Sequence, residues 1–379
     1  MTQRCGTWRA GAIPVIRLAV IALLAAAVAL AAPGCGSRGP RQGGKVKVAW
    51  IGLVCEAPIF VAYENGYFAE EGLDVELVKT DWDAMQSGLS FGRYDATHTL
   101  ITYMLKPIEQ GLDAKMTGGV HKGCLRLQAG AKTDIRTVAD LRGKRIGVAT
   151  MGSPPMIFTN RVLTAAGMDA MKDVEWIVFP NAEIELALAK GYVDAVANSE
   201  PIGSLLLANK AVRTIADQSV DMPYKDEYCC AVVVSGNLAR TDPAAAAKVT
   251  RALMKAAKWV GVNPLAAARL SVEKKYLASN AELNATALTQ MTYIPSVEAC
   301  RLGVVGHSLE MKKANMLSRS TDPHELARRA WLALDGVSDE WIQGVAIERI
   351  PGGGPVPTDP AFIAAIMKGK KPGTGCCVN

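Results

Sequence analysis

Cysteine and histidine carry the most distinctive chemistry in this chain. Among nine cysteines and four histidines, Cys55, His98, His121 and Cys124 each follow a short apolar run that reads as a strand. His121 and Cys124 form a local His-x-x-Cys pair. Two imidazoles and two thiolates would suit zinc or copper. The same sulfurs in an oxidising compartment would instead pair, as Cys55–Cys124 or Cys124–Cys229. Both readings stand at this point. Cys229 and Cys230 are adjacent, so on a regular strand their side chains point to opposite faces and only one reaches a given site. Cys229 is counted with the site.

The elements that must position these residues are legible. Lys45 to Ile51 is a Val-rich alternating run, a strand. Gly52 to Ala57 is a turn, and Pro58 stands where the first turn of a helix tolerates proline. Apolar residues at helical spacing then run to Glu70, Gly72 ends the helix, and Leu73 to Val78 alternates again. In open α/β sheets ligands bind beyond the carboxyl ends of strands. By that rule the candidate ligand wall is Cys55, Glu56, Trp82, Asp83, Thr97, His98, His121 and Cys124 from one half, and Gly152, Ser153, Met156, Asn198, Glu200, Tyr228 and Cys229 from the other. Gly152-Ser153-Pro154-Pro155 lies between a strand and a helix, where backbone N–H groups favour an anion, although each proline removes a donor. Lys122 and Arg126 offer positive charge for a nitrate, sulfonate or carboxylate, unless Arg126 simply faces solvent.

An internal repeat sets the architecture. KVKVAWIG at 45–52 resembles KRIGVATMG at 144–152, and the G-x-x-D-A of Gly92 to Ala96 returns at Gly191 to Ala195. Two α/β lobes built alike and facing one another make a cleft. The expected fold is therefore α/β and two-lobed, with lobe one at 45–133 plus 236–335 and lobe two at 134–235. The Ala-rich helices at 242–259 and 264–277 should pack on lobe one, and a Pro/Gly-rich extension at 336–379, ending in Cys376-Cys377, should run extended over the surface.

Residues 1–34 read as a targeting segment, with Arg4, Arg9 and Arg17 before the apolar run Leu18 to Ala32. Ala32-Pro33-Gly34-Cys35 resembles a bacterial lipobox, which would make Cys35 the lipidated first residue of the mature chain. Residues 35–44 have the composition of a flexible tether. The formal charge of +6 falls to +3 without the three arginines of that segment. No basic run is interleaved with aromatics, which argues against nucleic acid as a partner.

The stretch PIFVAYENGYFAEEGLDVELV, with its GYF-x-x-EGL core, resembles the opening of the nitrate, sulfonate, taurine and pyrimidine-precursor group of periplasmic substrate-binding proteins. Asp140-Leu-Arg-Gly-Lys-Arg-Ile-Gly resembles that group's approach to its second lobe. The resemblance runs to about residue 330. It implies a periplasmic or cell-surface lipoprotein that binds a small polar ligand, hands it to an ABC transporter permease, and needs neither catalysis nor a cofactor. It also implies that the Gly152 turn and the Glu200-Pro201 turn contact the ligand. Within the group are cousins that make a pyrimidine and carry a cysteine cluster; Cys229-Cys230 matches that cluster only in part. The alternatives to an organic anion are a metal ion or complex held by Cys55, His98, His121 and Cys124, or such an enzyme.

Overall fold

The computed structural model describes residues 44–277 and 280–368. Cys35, the targeting segment and Cys376-Cys377 lie outside the described residues, as does the side chain of Asp83. Ten strands run in order: β1 Val46–Trp50, β2 Val75–Lys79, β3 Ala96–Leu100, β4 Ala114–Lys122, β5 Leu125–Gly130, β6 Arg145–Val148, β7 Glu175–Val178, β8 Ala195–Ser199, β9 Val212–Asp217 and β10 Tyr228–Ser235. They form two five-stranded sheets, β2-β1-β3-β10-β4 and β7-β6-β8-β5-β9. In each sheet the first three strands are parallel and the next is antiparallel to both neighbours.

The repeat seen in the sequence has a physical cause. Asp95 accepts the backbone N–H of Lys47 at 2.8 Å, and Asp194 accepts that of Arg145 at 2.9 Å. Each G-x-x-D thus pins the start of a strand to the start of its parallel neighbour. Between those strands lie the helix Ala57–Glu64, almost wholly buried, and its counterpart Pro154–Ala165.

The lobes exchange strands at different residues from those expected. β5 pairs with β8 and β9, so it belongs to lobe two; β10 lies between β3 and β4, so it belongs to lobe one. The crossings therefore fall between Lys122 and Leu125 and between Asp217 and Tyr228. Both strands are buried along their whole length and show no alternation that would assign them to one sheet. The helix Pro243–Val262, opened by Asp242 accepting from the Ala245 N–H at 2.9 Å, packs on Ala57–Glu64 and β4 in lobe one. The C-terminal extension is not wholly extended. Asp359 caps a helix, Pro360–Met367, whose Ile363 packs with Leu283 and Ala208, so that it sits on the lobe-two helix Ile202–Ala208.

The lobes are also tied by a buried ion pair. Arg161, on the lobe-two helix Pro154–Ala165, donates to Glu227 at 2.8 and 2.9 Å and to His307 Nδ1 at 3.2 Å. His307 Nε2 donates to the Tyr228 carbonyl at 2.7 Å, so the ring is neutral with Nδ1 as acceptor. Burial, and then the Arg161 charge, hold His307 down to about 3. Unfolding frees the ring to protonate near 6.5. The unfolded chain thus binds the extra proton between these values, and stability falls as pH drops through that window, by at most about 1.4 kcal/mol per unit. Urea unfolding at about pH 7 and about pH 5 should show the loss in the wild type and a flattened response in His307→Gln. Equal slopes in the two would contradict this account. A second stability prediction concerns Gly119 on β4, where an added Cβ would lie 2.6 Å from both Cys300 Cβ and the Tyr228 ring. Gly119→Ala should cost about 1–3 kcal/mol by overpacking, read as a lower urea midpoint.

Candidate functional site

The two crossings lie side by side, and the cysteines sit on them. Cys124 stands in the first crossing, just before β5, and Cys229 and Cys230 open β10. Cys55 comes from the short turn Val54–Glu56 after β1, and His121 from the end of β4. The five described cysteines are free thiols, all buried. Cys124 Sγ and Cys229 Sγ are 3.0 Å apart. Cys55, Cys124, Cys229 and Cys230 form one hydrogen-bonded group of sulfurs. The ligand atoms of Cys55, His121 and Cys230 all lie within 4.8 Å of one another.

Strand alternation had excluded one of the adjacent cysteines, yet both reach the group. The reason is a break in register. β10 pairs irregularly with β4 on both sides of Cys230, between Tyr228 and Cys230 and between Cys230 and Ala231. A bulge re-aims side chains in this way. Cys230 is thus a site residue that sequence periodicity missed.

The histidines complete the group. The His98 ring, on β3, is buried against His121 with centroids 5.4 Å apart. Neither His98 nitrogen, nor His121 Nε2, has a hydrogen-bond partner among the described residues. Burial, and then His121, hold His98 well below the usual imidazole range, so the ring is neutral. Tyr293 packs 5.0 Å from the His121 ring and donates to the Cys55 carbonyl at 3.2 Å. Burial alone would raise Cys229; hydrogen bonds from Cys124 and Cys230 outweigh it and hold this thiol below its usual range.

Above the thiols the cleft narrows to a cavity of about 20 Å³, room for about one water. Leu53, Cys55, Trp82 and Leu100 line it from lobe one, and Pro154, Pro155, Ser199 and Glu200 from lobe two. Cys124, Leu125 and Met291 close the base. Met291 and Tyr293 follow the helix Ala281–Gln290 and are held by the Lys122–Thr292 bridge. Nothing in local sequence marks that distant segment as part of the cleft.

Several expected wall residues face elsewhere. Glu56 curls onto its own turn and accepts from the backbone N–H groups of Ile51, Gly52 and Leu53 at 2.7–3.1 Å. Burial, and then Cys55, push it up to about 8 against the pull of those donors. Thr97 donates to the Ala49 carbonyl at 3.0 Å, and Asn198 to Gln128 at 2.9 Å. Tyr228 donates away from the cleft, to the Ile294 carbonyl. In the Gly152 turn, the Gly152 N–H meets the Met156 sulfur at 3.2 Å and the Ser153 N–H goes to the Thr150 carbonyl at 3.2 Å. Asp83 lies on the helix Trp82–Ser90.

Arg126 neither faces solvent nor stands ready for an anion. It is buried, paired with Glu200 and with Asp217 at 2.7 Å, and donates to Ser204 and Gln290 at 3.0 Å each. Burial raises Glu200, opposed by the Arg126 charge. Lys122 lies over the Tyr228 ring, 5.4 Å from its centroid.

Comparison with known proteins adds the relationship. A Haemophilus influenzae protein described under thiamine biosynthesis is 25% identical over 244 residues, 63% of this chain and 76% of its own. The nitrate/nitrite binding protein NrtA of Synechococcus elongatus is 25% identical over 242 residues, 56% of this chain and 54% of its own, so this chain spans about half of that relative. The periplasmic aliphatic sulphonate binding protein SsuA of Escherichia coli superposes with a TM-score of 0.62 at 18% identity, covering 82% of this chain and 98% of that one. That likeness establishes the two-lobed periplasmic binding protein fold. The model of the NMT1-like family matches residues 39–273, and the chain belongs to that family.

Proposed function

We propose that this chain is the solute-binding component of an ABC importer, closing its two lobes on one small ligand in the cleft. In this reading it works outside the cytoplasmic membrane, tethered by lipid on Cys35 and the 35–44 segment, and passes its ligand to a permease. No turnover is involved. The observation that carries the reading is the placement of the cavity: both lobes line it, and Cys124 and Leu125 bring the first crossing to it. A ligand there touches both lobes only when they are together, so it favours the closed arrangement by its extra contacts. Closure is then a hinge motion about the paired crossings.

The mature chain should become more compact on binding, seen as a lower radius of gyration by small-angle X-ray scattering. At a ligand concentration near 100 times Kd it should also gain about 2.7 kcal/mol of stability. The probes are nitrate, taurine, an alkanesulfonate, Cu(I) and Zn(II). If none of them compacts the chain, or if it converts a pyrimidine precursor to product, the reading is wrong. Cys35→Ser should move the chain from the membrane to the soluble fraction; unchanged membrane association would remove the lipid anchor from the proposal.

A further inference from the structure

We propose that the ligand of this cleft is a single thiophilic d10 metal ion, Cu(I) or Zn(II), bound by Cys55, His121 and Cys230, and not an oxyanion. The proposal rests on the solute-binding reading and names its ligand class.

Two sets of observations converge on it. The first is that the groups which would hold an anion are already used. The N–H groups of Ile51, Gly52 and Leu53, a nest at the mouth of lobe one, are filled by the Glu56 carboxyl. In the matching lobe-two turn, Gly152 and Ser153 have spent their N–H groups, and Pro154 and Pro155 have none. Arg126, the buried cation nearest the cavity, is neutralised by Glu200 and Asp217. An oxyanion would enter a space lined mainly by thiols, a thioether, leucines and a buried carboxyl group, with the Ser199 hydroxyl and the Trp82 indole as the neutral donors among the lining residues, and would exchange its hydration for few hydrogen bonds.

The second set is positive. Two sulfurs and an imidazole nitrogen from three separate elements converge within 4.8 Å. A tetrahedral centre with bonds of about 2.3 Å to sulfur and about 2.0 Å to nitrogen spaces its ligand atoms at about 3.5–3.8 Å, so small side-chain movements suffice. His121 is fully buried and its Nε2 has no partner among the described residues. Soft sulfur donors with imidazole select these ions. As each thiolate–metal bond forms, the thiol's proton passes to water, and the ion keeps its oxidation state on entry and exit. Two thiolates and an imidazole cancel the charge of Zn(II), and one thiolate, one thiol and an imidazole cancel that of Cu(I), which suits a buried site. Cys124 touches both thiols of the triad and lines the cavity, so it stands beside the fourth position. The triad does not need the Cys124–Cys229 pair, and oxidation of that pair leaves it intact.

The test uses the mature chain with Cys376→Ser and Cys377→Ser, reduced and kept anaerobic, titrated with Zn(II) and with Cu(I) against chromophoric chelators. One ion per chain is expected; Cys55, His121 and Cys230 all belong to lobe one, so compaction follows only as the ion's fourth position is filled from the first crossing or lobe two, where Cys124 and Glu200 line the cavity. Cys55→Ser and Cys230→Ser should each weaken binding by at least the roughly 10–100-fold that loss of an outer-shell partner costs, whereas Cys300→Ser, buried in another part of lobe one, should not. Co(II) added to the chain with its cleft cysteines unchanged should give sulfur-to-cobalt charge-transfer absorption, a readout free of any folding defect in the variants. Absence of stoichiometric binding by either metal overturns the proposal, as does undiminished binding in Cys55→Ser and Cys230→Ser. Binding without compaction also overturns it, since the ion would then be structural and not cargo. If nitrate, taurine or an alkanesulfonate compacts the chain and the metals do not, the ligand class fails while the solute-binding reading stands.

Discussion

The constraint on which this structure depends is that the chain crosses between its sheets twice, and each crossing ends in a strand buried inside the receiving sheet. β5 enters lobe two between β8 and β9, and β10 returns to lobe one between β3 and β4. A strand with neighbours on both sides cannot slide without breaking two ladders. The residues at the crossings are therefore fixed in space to a degree that surface loops are not. His121, Cys124, Cys229 and Cys230 all fall there. The chemistry of the molecule sits at its mechanical axis.

From this follows a division of labour between backbone and side chains. In an α/β protein the turns after the first strand of each lobe commonly present backbone N–H groups to a ligand. Here both turns are self-satisfied, one by Glu56 and the other by the Met156 sulfur and the Thr150 carbonyl. The turns become walls, and the reactive groups come from the crossings beneath them. Relatives named for nitrate or sulphonate binding share the frame; what this chain can bind is set by the few side chains at its base.

Much of the frame was legible in the sequence because it follows from periodicity and caps. The paired G-x-x-D-A motifs announced two like lobes, since each aspartate pins the start of a strand. Cys55, Trp82, Cys124 and Glu200 were placed at the cavity by the strand-end rule alone. What was not legible required tertiary contacts. β5 and β10 are buried along their whole length on both faces, so no one-sided burial assigned them to a lobe. Cys230 depended on a bulge that only a partner strand creates. Arg126 read as an open cation because Glu200 and Asp217 are 74 and 91 positions away. The Pro360–Met367 helix did carry a signal, Asp359-Pro360 as cap and first residue, but the flanking glycines and prolines hid it.

That last helix changes what kind of joint the molecule has. Two neighbouring crossings alone define an axis about which one lobe can swing freely. The chain before the C-terminal helix is bound to lobe one's side, where Gly353 accepts from Leu265 at 2.9 Å, while the helix itself lies between Ala281–Gln290 and the lobe-two helix Ile202–Ala208. This third connection is displaced from the axis. It acts as a check strap: the arc through which the lobes can part is set by the ten or so residues between Gly353 and Ile363, each spanning at most about 3.5 Å when extended.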